Sequence, residues 1–154
     1  MRSRPPLTAI CGLDAMRLIA FDIGDKRTGF ATGSLELGLV TPVGVLEVPC
    51  GAALVARMVD AIEEHGAERV ILGLPLNMDG TEGPRAKLLR TFATDLAKRI
   101  SCEIEWQDER LSSYAADQRM SRTGLTHQQK KARRDALAAA SILQDYIDRV
   151  SGDG

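Results

Sequence analysis

Three strand-like segments open this chain with only short turns between them, and helices and strands alternate after them. Residues 17–23 (RLIAFDI) form a nearly unbroken apolar run of strand length. The turn GDKRTG follows, Phe30, Ala31, Thr32 and Gly33 continue into a second strand, and residues 38–48 (GLVTPVGVLEV) read as a third. Parallel strands need a crossover of about a dozen residues or more, so turns this short require an antiparallel meander. Pro42 has no N–H to donate, which places it at a break or on an edge strand.

The rest of the pattern changes period. Ala52, Val55, Ala56, Met58, Val59 and Ile62 recur at helical spacing, and Gly66 supplies a stop. Residues 69–74 (RVILGL) read as a strand, 75–83 as a polar loop, and about 84–100 as a helix carrying Leu88, Leu89, Phe92, Leu96 and Ile100. Residues 103–107 (EIEWQ) are the last strand. Ser112 is suited to cap a short helix to about Arg122, Thr126 to cap another helical piece. A final helix is expected over about 133–150, with Leu137, Ala138, Ile142, Tyr146 and Ile147 packed on a sheet. The order βββ, αβαβ, then helices defines an α/β fold with one mixed sheet and helices on its faces. A length of 154 residues suits one domain, assigned to 16–150. Residues 1–15, with Pro5 and Pro6 ahead of Met16, are expected to be a disordered N-terminal extension.

Composition narrows the function classes. No apolar run approaches the roughly 18 residues of a membrane span, and the first 15 residues lack the core of a secretory signal. Cys11, Cys50 and Cys102 form no CxxC pair and only two histidines accompany them, which argues against structural zinc and for reduced thiols in a cytoplasmic protein. A net charge of −1 argues against non-specific nucleic-acid binding by the whole surface. The stretch from Gln118 to Arg134 differs: it carries Arg119, Arg122, Lys130, Lys131, Arg133 and Arg134 and no acid, a local basic patch suited to a phosphate backbone.

The acids are the chemically pointed feature. Asp22 ends the first apolar run, Asp108 and Glu109 end the last, and Asp135 stands at the start of the Ala-rich helix. Strand ends and helix starts of an α/β sheet converge on one edge, where ligands bind. Carboxylates gathered there repel one another unless a cation holds them, and hard oxygen ligands suit Mg²⁺ or Mn²⁺. Side chains alternate along a strand, so only one of Asp108 and Glu109 should face that site. Asp135 is expected in the first turn of its helix, where the dipole favours its charge. Lys26 and Arg27, in the glycine-flanked turn after Asp22, are placed to reach phosphates, and Asn77 to hydrogen-bond a substrate. Asp25 reads as a turn residue, Asp145 and Asp148 as surface.

Taken together and in this order, the motifs D-x-G-x-K-R-x-G, G-L-P-L-N-M-D-G-T, D-E-R-L-S-S and D-x-x-A-A-x-x-I-L-Q-x-Y resemble the YqgF/RuvX family. The resemblance runs from about Met16 to Asp148. The family's members are described as Holliday-junction resolvases and as nucleases maturing the 5′ end of pre-16S rRNA. The resemblance implies an RNase H-like fold, a mixed five-stranded sheet flanked by helices. It also implies that Asp22, Glu109 and Asp135 are the catalytic, metal-binding acids, with Asp108 a further contributor, and that two Mg²⁺ or Mn²⁺ ions serve phosphodiester hydrolysis. Lys26, Arg27, Asn77, Arg110, Lys130, Lys131, Arg133 and Arg134 are then the nucleic-acid contacts. Expected partners are structured RNA or branched DNA and ribosomal particles, with no membrane, for a monomer or homodimer. Three readings stay open on sequence alone: an rRNA-maturing nuclease, a junction resolvase, and a non-catalytic RNA-binding assembly factor. An actin-like ATPase shares the D-x-G-x-x-x-x-G turn but needs two domains, for which this chain is too short.

Overall fold

The segment RLIAFDI becomes β1 (Arg17–Ile23), and its apolar run is unbroken because β1 lies in the middle of the sheet. The computed structural model describes residues 16–109 and 127–152, and the side chains of the last helix over 133–151. β2 (Thr28–Ser34) pairs antiparallel with β1, and β3 (Leu39–Leu46) antiparallel with β2. β4 (Arg69–Leu74) lies parallel on the other side of β1, and β5 (Glu103–Asp108) parallel beyond β4. The five strands therefore run β3-β2-β1-β4-β5, the expected mixed sheet. Pro42 falls on the edge strand β3 as anticipated. There the register slips between Phe30 and Ala31, whose partners are Gly44 and Pro42.

Alternation along the strands divides the core in two. Ile19, Phe21 and Ile23 of β1, Val70 and Leu72 of β4, and Ile104 and Trp106 of β5 face one side. They pack there with α1 (Ala52–Glu64) and α2 (Pro84–Ala97). Leu18, Ala20 and Ile71 face the other side and meet Ile142, Leu143, Tyr146 and Ile147 of α3 (His127–Gly152). α1 ends as its sequence requires, with Gly66 at φ 62°, a left-handed position that glycine adopts without a Cβ clash.

Two helix expectations change. α2 stops at Ala97, and its buried stripe is Ala86, Leu89, Phe92, Ala93 and Leu96. Leu88 is rotated about 100° off that stripe and is 51% exposed, while Ile100 packs on the core from beyond the helix. α3 is one helix of 26 residues beginning at His127. Asp135 consequently sits two turns inside it, and the first-turn dipole no longer explains that residue. The short helix expected after Ser112, the Thr126 cap and the N-terminal extension lie outside the described residues. No described helix is long and apolar enough to cross a membrane.

Candidate active site

The same alternation that builds the core decides which acids meet. On β1, Leu18 and Ala20 face α3, so Asp22 does too. On β5, Glu105 reaches Tyr146 and Gln107 reaches Arg149, both on α3. Glu109 is the next residue of that face. It lies one position past β5, yet its N–H still donates to the Leu74 carbonyl at 3.1 Å, so the strand geometry carries through. Asp108 falls on the opposite parity and acts on Glu109 as a nearby like charge. Of the two adjacent acids, Glu109 therefore joins Asp22.

β4 separates β1 from β5, and a glycine makes the meeting possible. Gly73 follows Leu72, the partner of Phe21, and lies beside Asp22. A Cβ on Gly73 would overlap the Glu109 carboxylate and come within 2.8 Å of Ile142 Cδ1. On the other flank Gly29 pairs directly with Asp22, and a Cβ there would overlap the backbone carbonyl of Asp135. One glycine lets Glu109 cross β4, and the other lets α3 sit down on β2. The Gly73 requirement is not visible in the sequence pattern, where that residue is only one letter of RVILGL.

Asp22 and Glu109 share a hydrogen bond, which requires a proton between two carboxylates. Burial and the Asp22 charge push Glu109 up to about 8. Asp22 is also raised, chiefly by burial and secondarily by the Asp135 charge, while Glu109 and Arg85 oppose the shift. Asp135 is close enough to be felt but is engaged elsewhere: Arg27 Nε donates to its Oδ2 at 2.7 Å. Accordingly, among the described residues no group of three or more His, Cys, Asp or Glu side chains is disposed to hold a metal ion. The donor chemistry of the pair nevertheless fits a hard divalent cation. Two half-buried carboxylates that keep a proton at neutral pH lack positive charge, and a cation replacing the proton would supply it.

The expected phosphate contacts divide. Lys26 is exposed in the turn after β1, whereas Arg27 is committed to Asp135. Arg133 and Arg134 are exposed on α3; Lys130 and Lys131 lie on the same helix, at positions whose side chains are not described. Arg110 lies outside the described residues. Asn77 organises its own loop: Nδ2 donates to Thr81 Oγ1 at 2.9 Å and its N–H to the Thr81 carbonyl at 2.8 Å. Asp148 is exposed as expected. Asp145 is not a plain surface residue, because its Oδ2 is buried without a hydrogen-bond partner and burial raises its pKa. Sequence reasoning also missed Arg85, whose positive charge acts on both Asp22 and Glu109. An arginine at a loop-to-helix junction has no periodicity to single it out.

Similarity to known proteins agrees with this architecture. A family model described as RuvX: Holliday junction resolvase matches residues 16–149. A "Putative pre-16S rRNA nuclease" of Chloroflexus aurantiacus is 37% identical over 131 residues, 85% of this chain and 86% of that protein. One of the same description from Anaeromyxobacter dehalogenans is 38% identical over 134 residues, 87% and 98% of the two chains. Among solved structures, the fowlpox virus Holliday junction resolvase superposes with a TM-score of 0.54 at 13% identity, over 87% of this chain and 99% of that one. RuvC of Thermus thermophilus gives 0.51 at 12% identity, over 89% and 97%. These structural matches show a shared RNase H-like fold. Carboxylates at the centre of such a nuclease fold point to divalent-metal dependence in general. With sequence relatives above one-third identity across nearly their whole length and a family model spanning 16–149, the chain belongs to the RuvX family.

Proposed function

We propose that this chain is a metal-dependent nuclease that hydrolyses phosphodiester bonds in the 5′-end maturation of pre-16S rRNA. The observation that carries the reading is the proton-sharing pair of Asp22, at the end of the central strand β1, and Glu109, just past the edge strand β5, with Asp135 beside it. The relatives' description as pre-16S rRNA nucleases supports the choice of substrate.

Asp22, Glu109 and Asp135 are the catalytic acids and would hold two Mg²⁺ or Mn²⁺ ions. Such ions, when bound, activate water and stabilise the leaving oxygen. The chain's own residues prepare the site. Asp22 and Glu109 would release their shared proton to solvent and offer oxygens from one face of the sheet. Asp135, bonded to Arg27 in this structure, would join them as a third holder of the ions, and the Arg27 guanidinium would then be available to a substrate phosphate. Asp108, on the opposite parity, has no direct part. Lys26, with Arg110, Lys130, Lys131, Arg133 and Arg134, tracks the phosphate backbone of a structured RNA presented on a ribosomal particle in the cytoplasm. Asn77 contributes by shaping the loop at the same edge. A single cut in RNA needs only one site, so a monomer suffices.

The test is cleavage of a labelled pre-16S-like RNA and a four-way DNA junction with Mg²⁺ or Mn²⁺, using Asp22→Asn as control. The expected result is RNA cleavage that the substitution abolishes. Paired symmetric cuts in the junction would instead make the chain a resolvase, which requires a two-fold dimer. Absence of any Asp22-dependent cleavage would leave a binding protein.

A further inference from the structure

Arg85 is the second residue of α2, directly after Pro84, at a helix start that no side chain caps. Its side chain reaches back over the end of β1. Nη2 donates to the Ile23 carbonyl at 2.8 Å, and Nη1 donates to Asp25 Oδ1 at 2.5 Å. Both anchors follow Asp22 within three residues. These bonds fix the plane of the guanidinium and use two of its five N–H donors. The group is only partly covered, with 32% of the side chain exposed, and its ion pair is with Asp25, whose own side chain is 85% exposed. A permanent positive charge thus stands at the edge of the acidic pair, held from behind by backbone and by an exposed carboxylate.

We propose that Arg85 is a further catalytic residue, whose guanidinium contacts a non-bridging oxygen of the scissile phosphate at the Asp22–Glu109 edge. The assignment rests on the nuclease reading above. A phosphodiester gains negative charge on its non-bridging oxygens as water attacks, and a donor fixed in advance stabilises that charge without reorganising. Arginine suits the task better than lysine, because its planar fork matches phosphate oxygens and it stays charged at any working pH. Asp25 then has a role that its place in an exposed turn does not suggest. It is a positioning residue that holds the guanidinium against the pull of the neighbouring acids.

Single-turnover cleavage of the labelled RNA in Mn²⁺ tests this, with Arg85→Ala and Arg85→Lys beside the unaltered chain. Mn²⁺ binding is followed separately by calorimetry and folding by thermal melting. The expected result is a loss of about a hundredfold to a thousandfold in rate for Arg85→Ala, with Mn²⁺ binding and melting preserved. Lysine should recover part of the rate, and millimolar guanidinium chloride should partly rescue the alanine variant. Unaltered rates in Arg85→Ala, or loss of Mn²⁺ binding and folding in both variants, would overturn the assignment and make Arg85 structural. An unaltered chain that neither cleaves nor binds Mn²⁺ would overturn the nuclease reading itself, and the assignment with it.

Discussion

α3 meets the sheet through two polar clusters, eleven residues and about 16 Å apart along its axis. At Tyr146 the chemistry closes on itself. Arg69 Nη1 donates to the Tyr146 hydroxyl at 2.8 Å, which donates to Glu105 Oε1 at 3.2 Å, and Arg69 Nη2 pairs with Glu103 at 3.2 Å. Only Arg69 Nε lacks a hydrogen bond, its Glu105 neighbour being 4.0 Å away. At Asp135 the chemistry stays open: two carboxylates share a proton, and the third is held by an arginine from the β1–β2 turn. A buried polar group stabilises a fold when its partners are complete, and a group left short of partners is the place to look for a ligand.

The sharpest way to break this contrast is to remove one acid from the open cluster. Asp22→Asn should abolish cleavage while the melting temperature holds or rises, because a repelling carboxylate leaves a site where Glu109 is already strained towards its neutral form. A variant that melts much earlier would place Asp22 among the structural groups. The closed cluster should behave the opposite way. Tyr146 is fully buried, so Tyr146→Ala should destabilise by about 3–5 kcal/mol through the cavity it leaves, with the activity of the folded fraction unchanged. Denaturant melts and active-site titration separate the two effects.

Gly29→Ala joins both behaviours. The new methyl would press on the Asp135 carbonyl, costing about 1–3 kcal/mol of stability and displacing Asp135 as well, so stability and cleavage should fall together. Tyr146→Phe should cost only about 1 kcal/mol for the hydroxyl shared between Arg69 and Glu105. The gentlest test is pH. Glu109 has an ordinary value of 4.5 and is raised to about 8 in the fold, so between those values the native chain holds a proton that the unfolded chain has released. Stability without metal should therefore fall as pH rises from about 4.5 to about 8, and level off above. Denaturant unfolding in EDTA across that range measures the slope, and saturating Mn²⁺ should flatten it.

Much of this arrangement was legible in the sequence. The strand runs, the edge position of Pro42 and the α1 stop at Gly66 follow from local rules of period, hydrogen bonding and φ, and each recurs in the structure. The choice of Glu109 over Asp108 was constrained by strand parity but needed the whole sheet to decide. What escaped was set by contacts between distant segments. Leu88 obeys a loose helical spacing yet lies off the buried stripe, because α2 turns Leu89 inward. The start of α3 was expected about six residues too late, at about 133 instead of His127, since its basic first turns carry no apolar period. Gly73 and Arg85 have meaning only once β4 lies between Asp22 and Glu109 and α2 leans over the end of β1.

The placement of Asp135 on a helix that follows all five strands also sets a schedule. A chain emerging during synthesis can pair β1 with β2 and β3, and later with β4 and β5, and so bring Asp22 beside Glu109 before α3 exists. Asp135 cannot dock until Ile142, Leu143, Tyr146 and Ile147, which anchor its helix, have themselves been made. Until then a nascent chain can bring two of the acids together but not the third, and the trio is assembled only on a polypeptide long enough to have completed that helix.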